Sequence, residues 1–272
     1  MSQTTEAPSY ADVVELTRYP IHRLDSDDGR ALVESCRAAL ARDGVCTLEG
    51  FITPAAVSAM VALAGRLEEK AWASDRTHTI YFEPADDTVP PEHPRAHQVR
   101  SAKHGIAYDH IPAEAPLRRL YESDDLTAFI GAALEKPVLY RSADPLDALQ
   151  ITTFHEGEEL GWHFDRSEFS MTVMYQQAQE GGDFEYAPGL RTDDDENYEG
   201  VQQVLQGDRS RLKVLPSAPG TLAFFRGEHA LHQVTPITGG TPRINSVLTY
   251  GERPDMRLND LTSELFYGRT SS

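Results

Sequence analysis

The C-terminal half of the chain is a series of short strand-like segments, and this pattern constrains the fold more than any other feature. From residue 137 to about residue 250, about eight segments rich in β-branched and aromatic residues show partial alternation, which is typical of short β-strands. Turn-forming residues such as Asp-Pro, Pro-Gly and Gly-Gly-Thr-Pro separate them. The segments are PVLYRSA, ALQITTFHE, SMTVMYQQ, GDFEYAP, LKVLP, TLAFFRG, HALHQVTPI and RINSVLTYG. Such a pattern favours a double-sheet jelly roll, whose interior can hold a metal and a small ligand.

The N-terminal part of the chain favours helices. Acidic residues at Asp25–Asp28 favour the start of a first helix, and Gly44 favours its end. Pro54 suits the first position of a second helix, which is predicted to run to about residue 73. A third helical stretch over 116–136 is interrupted near Ser123.

We therefore expect an α+β protein with a single domain over residues 1–272. Residues 1–136 are assigned to helical support and a lid loop, 137–250 to the jelly-roll core, and 251–272 to a C-terminal segment. Residues 1–24 are expected to form a loosely held arm. The stretch 74–113, rich in Pro, His and charge, is expected to contain a long loop of the kind that covers binding sites.

Composition narrows the class of protein. Hydrophobic residues make up 40% of the chain, enough for a full core, and the net charge of −18 disfavours a nucleic-acid partner, which needs a basic face. The sequence has no membrane-length apolar run and no signal-peptide pattern at its start. Cys36 and Cys46 could form a disulfide, but in a large chain without a secretion signal they are expected to be reduced, half-buried thiols. These features predict a cytoplasmic protein, with monomer and homodimer both left open.

The stretch Gly161-Trp-His-Phe-Asp165 contains the most informative side chains. On a strand the side-chain period is two, so His163 and Asp165 share one face. His232 lies 69 residues later in another strand-like segment. Two histidines and a carboxylate on adjacent strands match the facial triad of non-haem Fe(II) oxygenases. His229 is the rival third ligand, but it lies near a turn and would face the other side of the strand.

Arg243 follows His232 by eleven residues and begins the segment RINSVLTY. A buried guanidinium binds a planar carboxylate in two places, whereas a surface arginine at a strand start is the plainer interpretation. The paired glycines Gly181 and Gly182 allow either a tight turn or a close backbone approach.

Together, His163-x-Asp165, His232 and Arg243 on a strand-rich half resemble the Fe(II)/2-oxoglutarate-dependent oxygenase superfamily. The segments SADPLDALQIT, ELGWHFD, GGDFEY, FFRG and HQVTP are similar to the branch that contains radical halogenases of free amino acids and their hydroxylase relatives.

The resemblance implies that His163, Asp165 and His232 bind Fe(II), that Arg243 binds the distal carboxylate of 2-oxoglutarate, and that O2 is the third reactant. Halogenases of this branch have a small residue in place of the carboxylate ligand, whereas this chain retains Asp165. The implied reaction is hydroxylation of an unactivated C–H bond, with succinate and CO2 as co-products. Alternatives are a desaturase or cyclase on the same scaffold, a cupin-type metal enzyme that does not use 2-oxoglutarate, and a non-catalytic jelly-roll domain.

The branch also implies a small substrate resembling an amino acid. The residues predicted to contact it are Arg100, Asp144, Asp147, Asn245, Thr249 and Tyr267. Arg100 is assigned to a substrate carboxylate, and the aspartates to an ammonium group. Phe266 and Tyr267 are expected to close the pocket. His155, with Glu156, Glu158 and Glu159, is a second metal-like cluster, which a turn at Gly157 makes less favourable.

Overall fold

The computed structural model describes residues 8–84 and 86–270, and within them it contains six α-helices and fifteen β-strands. The helices are α1 Asp27–Asp43, α2 Pro54–Leu67, α3 Pro116–Tyr121, α4 Asp124–Ala133, α5 Tyr198–Leu205 and α6 Asp260–Tyr267. The strands are β1 Val45–Leu48, β2 Trp72–Thr79, β3 Gln98–Ile106, β4 Tyr140–Arg141, β5 Leu149–Phe154, β6 Glu159–His163, β7 Ser170–Gln176, β8 Glu180–Gly181, β9 Phe184–Ala187, β10 Lys213–Val214, β11 Leu222–Phe225, β12 Leu231–Val234, β13 Ile237–Thr238, β14 Arg243–Leu248 and β15 Tyr250–Gly251.

Side-chain caps set the starts of the supporting helices. The Ser26 hydroxyl accepts a hydrogen bond from Gly29 N at the start of α1, and Gly44 ends that helix in the left-handed conformation with a φ of 71°. The Ser123 hydroxyl caps α4 in the same way, which accounts for the break predicted there. The second predicted helix is shorter than expected, because the chain from Trp72 onward pairs with β3 instead.

Eleven of the described strands form one large curled sheet of antiparallel pairs. Its order is β1-β11-β7-β14-β5-β3-β6-β12-β9-β10, and β2 pairs with β3 beside this path. The pairs β8–β13 and β4–β15 form two separate two-stranded sheets. The predicted α+β jelly-roll fold is confirmed, and β6 and β12 lie next to each other within it.

The N-terminal part differs from the prediction in two respects. Residues 74–113 are largely a β-hairpin of β2 and β3, so the connecting loop is only 80–97, and the sheet is not confined to 137–250. The part of the predicted arm that the structure describes is packed in the core: Tyr10, Val13 and Val14 are at most 2% exposed. Residues 1–7 lie outside the described residues.

The main hydrophobic core lies between the helices and one face of the sheet. It joins Phe51, Phe129 and Phe224, which are fully buried and pack ring against ring. Cys36 and Cys46 are buried free thiols in the same core. None of the described helices is long and apolar enough to span a bilayer. The helical layer therefore supports the sheet from one side and leaves the metal-ligand strands on the other.

Candidate metal centre

The two histidines of the triad meet because β6 and β12 are paired antiparallel with His163 directly opposite His232. Their ring centroids are 4.0 Å apart. Asp165 lies two residues beyond the end of β6, and its Oδ1 is 3.5 Å from Nε2 of each histidine. The predicted face shared by His163 and Asp165 is therefore observed, although the second residue lies just past the strand.

Backbone carbonyls orient both imidazoles. Nδ1 of His163 is 2.8 Å from Gly161 O, and Nδ1 of His232 is 2.8 Å from Ala230 O. A carbonyl can only accept, so each Nδ1 carries the proton and each Nε2 keeps a free lone pair aimed at the shared point. Burial, with the neighbouring His232, lowers the pKa of His163 to about 4, so this ring is neutral at neutral pH.

Asp165 is held in place by two neighbours. Its backbone N donates to Gly227 O at 3.1 Å, and the Ser170 hydroxyl donates to its Oδ2. A Cβ added at Gly227 would lie 2.0 Å from that same Oδ2, so only glycine leaves room for the carboxylate. Burial opposes ionisation of Asp165, yet the two imidazoles outweigh burial and hold its pKa well below the usual range.

The donor set fits one divalent transition metal. Two imidazole lone pairs and one carboxylate oxygen converge within 4.8 Å of one another. Right-angled ligands at metal–ligand distances of about 2.1 Å lie about 3 Å apart, close to the observed separations. His229 does not take part, because its Nε2 pairs with Asp193 Oδ1 at 2.9 Å.

Arg243 is the first residue of β14 and is 5% exposed. Its Nε donates to Gly182 O at 3.1 Å, and its Nη1 donates to Asn245 Oδ1. Among the residues that the structure describes, no carboxylate forms an ion pair with it, although Asp183 attracts it at longer range. Burial lowers the pKa of Arg243 to about 10, so the guanidinium remains charged at neutral pH. A buried cation without a close counter-ion is costly, so this guanidinium is suited to an anionic ligand.

Two connected hollows surround Arg243. One, of about 300 Å³, is lined by Gly182, Asp183 and Ser217. The other runs inward past Asn245, Thr221 and Phe184. The Thr221 hydroxyl is buried without a hydrogen-bond partner among the described residues. Phe184, which lines the second hollow, stacks on His232 with centroids 5.2 Å apart, so one aromatic ring separates this hollow from a metal ligand.

Three of the predicted substrate residues lie together. Asp147 Oδ1 accepts from the Tyr267 hydroxyl at 2.6 Å, and its Oδ2 accepts from the Thr249 hydroxyl at 3.1 Å. Gln150 Nε2 in turn donates to the Tyr267 oxygen at 2.7 Å. Burial raises the pKa of Asp147 to about 6, although both hydroxyl hydrogen bonds oppose this shift.

Lys103 belongs to the same network and was missed from the sequence. Its Nζ is 3.3 Å from Gln150 Oε1, and it feels the charges of both Asp147 and Asp165. Burial lowers the pKa of Lys103, which the two aspartates partly offset. The ammonium group is therefore near enough to both Asp147 and the metal ligand Asp165 to interact with their charges. That the Lys103 side chain faces inward follows from the pairing of β3 with its neighbours, which cannot be read from the sequence.

The other predicted substrate residues are placed elsewhere. Arg100 projects from the opposite face of β3 to Lys103, is 44% exposed, and pairs with Asp75 and Glu159. Asp144 accepts hydrogen bonds from the backbone N of residues 146, 147 and 258, so it anchors the chain. Asn245 is bonded to Arg243. We therefore do not include Arg100 and Asp144 among the residues proposed to bind the substrate.

Aromatic rings bound the space beside the ligands. Phe82 lies edge-on to His163 at 5.3 Å and to Phe266 at 6.3 Å, and the Lys103 ammonium is 5.1 Å from the Phe266 ring. Phe82 has a φ of 53°, an unfavourable conformation for a bulky residue that is often found at functional sites. The loop after β2 and the C-terminal helix α6 thus meet beside the metal ligand His163.

Comparisons with known proteins agree with this geometry. A family model described as halogenase D matches residues 29–267. The fold resembles a prolyl-4-hydroxylase from Pseudomonas putida, with 17% identity, a TM-score of 0.51, and coverage of 82% of this chain and 100% of that chain. It also resembles a 2OG-Fe(II) oxygenase family protein from Burkholderia pseudomallei, with 16% identity, a TM-score of 0.51, and coverage of 82% and 92%.

A third structure is the epimerase SnoN in complex with Fe3+, α-ketoglutarate and nogalamycin RO, with 17% identity, a TM-score of 0.56, and coverage of 82% and 84%. At these identities the likeness establishes the fold. No curated protein matches the chain in sequence. The resemblance to the Fe(II)/2-oxoglutarate oxygenase superfamily is confirmed, whereas the free-amino-acid branch remains a prediction.

The contact between Gly227 and Asp165 generates a testable prediction. Gly227→Ala should displace the carboxylate and lower iron retention toward that of Asp165→Ala, because the added methyl group occupies the position of Oδ2. Iron retained after desalting is the measurement. Gly240→Ala is the matched control, since a Cβ there meets nothing within 4 Å. Wild-type iron content in Gly227→Ala would contradict this account of how Asp165 is positioned.

Proposed function

The chain belongs to the halogenase D family, and we propose that it is an Fe(II)/2-oxoglutarate-dependent oxygenase that hydroxylates an unactivated C–H bond of a small free amino acid or a close derivative. The observation that carries the proposal is the convergence of His163 Nε2, His232 Nε2 and Asp165 Oδ1 on one point. Bound Fe(II), 2-oxoglutarate and O2 supply the oxidant for C–H cleavage, with succinate and CO2 as co-products.

Asp165 supports hydroxylation over halogenation. A halide needs a coordination position that the halogenases of this branch create by lacking the carboxylate. Here the carboxylate is present and oriented by Ser170, and Gly227 leaves space for it. Together with the two histidines, this carboxylate would give the metal three protein ligands on one face.

Arg243 and Thr221 support 2-oxoglutarate as the co-substrate. The guanidinium lacks a close counter-ion and the hydroxyl lacks a partner among the described residues, and both line the hollow whose wall residue Phe184 stacks on His232. A carboxylate bound there would satisfy both groups at once, through charge-assisted hydrogen bonds. The keto-acid end of the same molecule would then point toward the metal ligands.

Lys103 and Asp147 support a substrate that carries both charges. The ammonium group of Lys103 suits a substrate carboxylate, and the carboxylate of Asp147, steadied by Tyr267 and Thr249, suits a substrate ammonium group. Phe82 and Phe266 would add apolar rings beside this site, with Phe82 edge-on to the metal ligand His163.

The direct test is a screen of free amino acids and simple derivatives by mass spectrometry, with Fe(II), 2-oxoglutarate and chloride present. We expect a gain of one oxygen in at least one compound, with an equal amount of succinate. A chlorinated product would overturn hydroxylation, and a loss of two hydrogens would assign desaturation instead. Asp165→Ala, which should lose iron, is the negative control.

The co-substrate site gives a second prediction. Arg243→Ala should raise the 2-oxoglutarate concentration needed for half-maximal signal, and Thr221→Val should do so by a smaller factor, with little change in iron binding. The measurement is the charge-transfer absorption of Fe(II) and 2-oxoglutarate under anaerobic conditions. Thr238→Val, at an exposed position, is the control. Equal 2-oxoglutarate dependence in all four proteins would remove Arg243 from this role.

The substrate site gives a third prediction. Lys103→Met should raise the KM for the amino acid by about 10- to 100-fold, since a charged hydrogen bond is worth about 1.5–3 kcal/mol. The KM for 2-oxoglutarate should not change. Arg100→Met, from the opposite face of the same strand, should leave both constants unchanged. A larger effect from Arg100 than from Lys103 would reverse this assignment.

The raised pKa of Asp147 predicts a pH dependence. Above its pKa of about 6 the carboxylate is ionised and attracts the substrate ammonium group, whereas below it the proton removes that attraction. The KM for the amino acid should therefore rise as pH falls through about 6. Asp147→Asn should have a high KM that does not change as pH falls through about 6. If the KM of the wild type and of Asp147→Asn depended on pH in the same way, Asp147 would be excluded as the titrating group.

A further inference from the structure

A second group of metal-ligating side chains lies on the opposite face of β3 from the pocket. His104 follows Lys103 directly, so the two side chains project from opposite faces of the strand. Glu68, from the turn after α2, and His155, just after β5, meet it there. We propose that Glu68, His104 and His155 form a second divalent-metal site, best suited to Zn2+ and separate from the triad at Asp165.

The three donor atoms already converge on one point. Oε1 of Glu68 is 2.9 Å from Nδ1 of His104 and 2.8 Å from Nε2 of His155. The imidazole rings are 4.7 Å apart between centroids and tilted by 66°. Tetrahedral ligands at about 2.0–2.1 Å from zinc lie about 3.3 Å apart, so the carboxylate needs to retreat by about half an ångström. Glu68, with 34% of its side chain exposed, has room to do so.

Glu158 provides the outer contact that a metal-binding histidine normally has. Its Oε1 is 3.3 Å from Nε2 of His104, and its Oε2 accepts a hydrogen bond from the backbone N of His155 at 2.8 Å. With the His104 proton on Nε2 and donated to Glu158, the Nδ1 lone pair faces the shared point. A carboxylate behind a histidine fixes its tautomer and strengthens it as a ligand.

The sheet holds these ligands rigidly. β3 and β5 are paired with His104 opposite Thr153, and His155 follows two residues later on the same side. The Thr153 hydroxyl approaches Glu68 Oε2 at 3.5 Å, which steadies the other carboxylate oxygen. Metal binding would therefore tie the end of α2 to the two strands that carry Lys103 and Gln150 on their inner side.

The ligand types select the class of metal. Two imidazoles and one carboxylate suit Zn2+ and similar divalent transition ions, while Ca2+ and Mg2+ prefer oxygen donors alone. The ligands are partly exposed, with His155 at 41% and His104 at 27%, so an ion can enter from solvent and retain a bound water. This site does not depend on the proposed oxygenase activity.

The test is a titration of the chelator-stripped protein with Zn2+ against a chromophoric competitor. The wild type should bind two equivalents, one at each site. His155→Gln should bind one, and His163→Gln, which removes a ligand of the other site, should also bind one. The double variant should bind none, and a thermal melt of each variant checks that it is folded.

Two further variants sharpen the result. His229→Gln is the matched control, because His229 also pairs with a carboxylate but has no second histidine beside it, and it should still bind two equivalents. Glu158→Gln should still bind two equivalents of Zn2+, but the affinity of the Glu68–His104–His155 site should fall by about 10- to 100-fold. A single equivalent in the wild type, or two in folded His155→Gln, would overturn the proposal and leave a hydrogen-bonded cluster.

Discussion

The structure depends on one register, the pairing of His163 with His232 across β6 and β12. These residues are far apart in sequence, and only this alignment brings both Nε2 atoms to one carboxylate oxygen. A slip of one residue in either strand would turn that histidine to the other face of the sheet. The register is secured by buried neighbours, since Phe184 and Phe225 pack against the His232 ring. The apolar side chains that hold the strands in place therefore also surround the metal ligand His232.

A site residue can be predicted from the sequence when the strand that carries it is recognisable from its own side-chain alternation. His163 and Asp165 could be found because a two-residue period puts them on one face before any strand partner is known. Lys103 could not be found, because the hairpin that carries it is rich in charge and histidine and resembles a loop. Arg100 was preferred for its guanidinium, yet it is three residues from Lys103 and projects outward. Side-chain chemistry alone does not indicate which face of an unrecognised strand is inside.

Other features are invisible to the sequence for a different reason. Gly227 follows a strand and resembles an ordinary turn glycine, and only the position of Asp165 Oδ2 shows what it makes room for. Thr221 is one of many threonines, distinguished only by a buried hydroxyl without a partner in the described chain. Asp144 was predicted to meet substrate but is used by the backbone of the C-terminal segment. These roles arise from three-dimensional contacts between distant elements, which residue type and local spacing do not encode.

The charges around the site restrict what can bind in it. Lys103 and Arg243 carry two positive charges, and Asp147 and Asp165 carry two negative charges, so these side chains are neutral together although the chain is strongly acidic. A divalent metal adds two positive charges to an enclosed space, where uncompensated charge is costly. A dianion such as 2-oxoglutarate restores neutrality. The remaining ligand should then carry no net charge, and a zwitterionic amino acid meets that condition while offering one charged group to Lys103 and the other to Asp147.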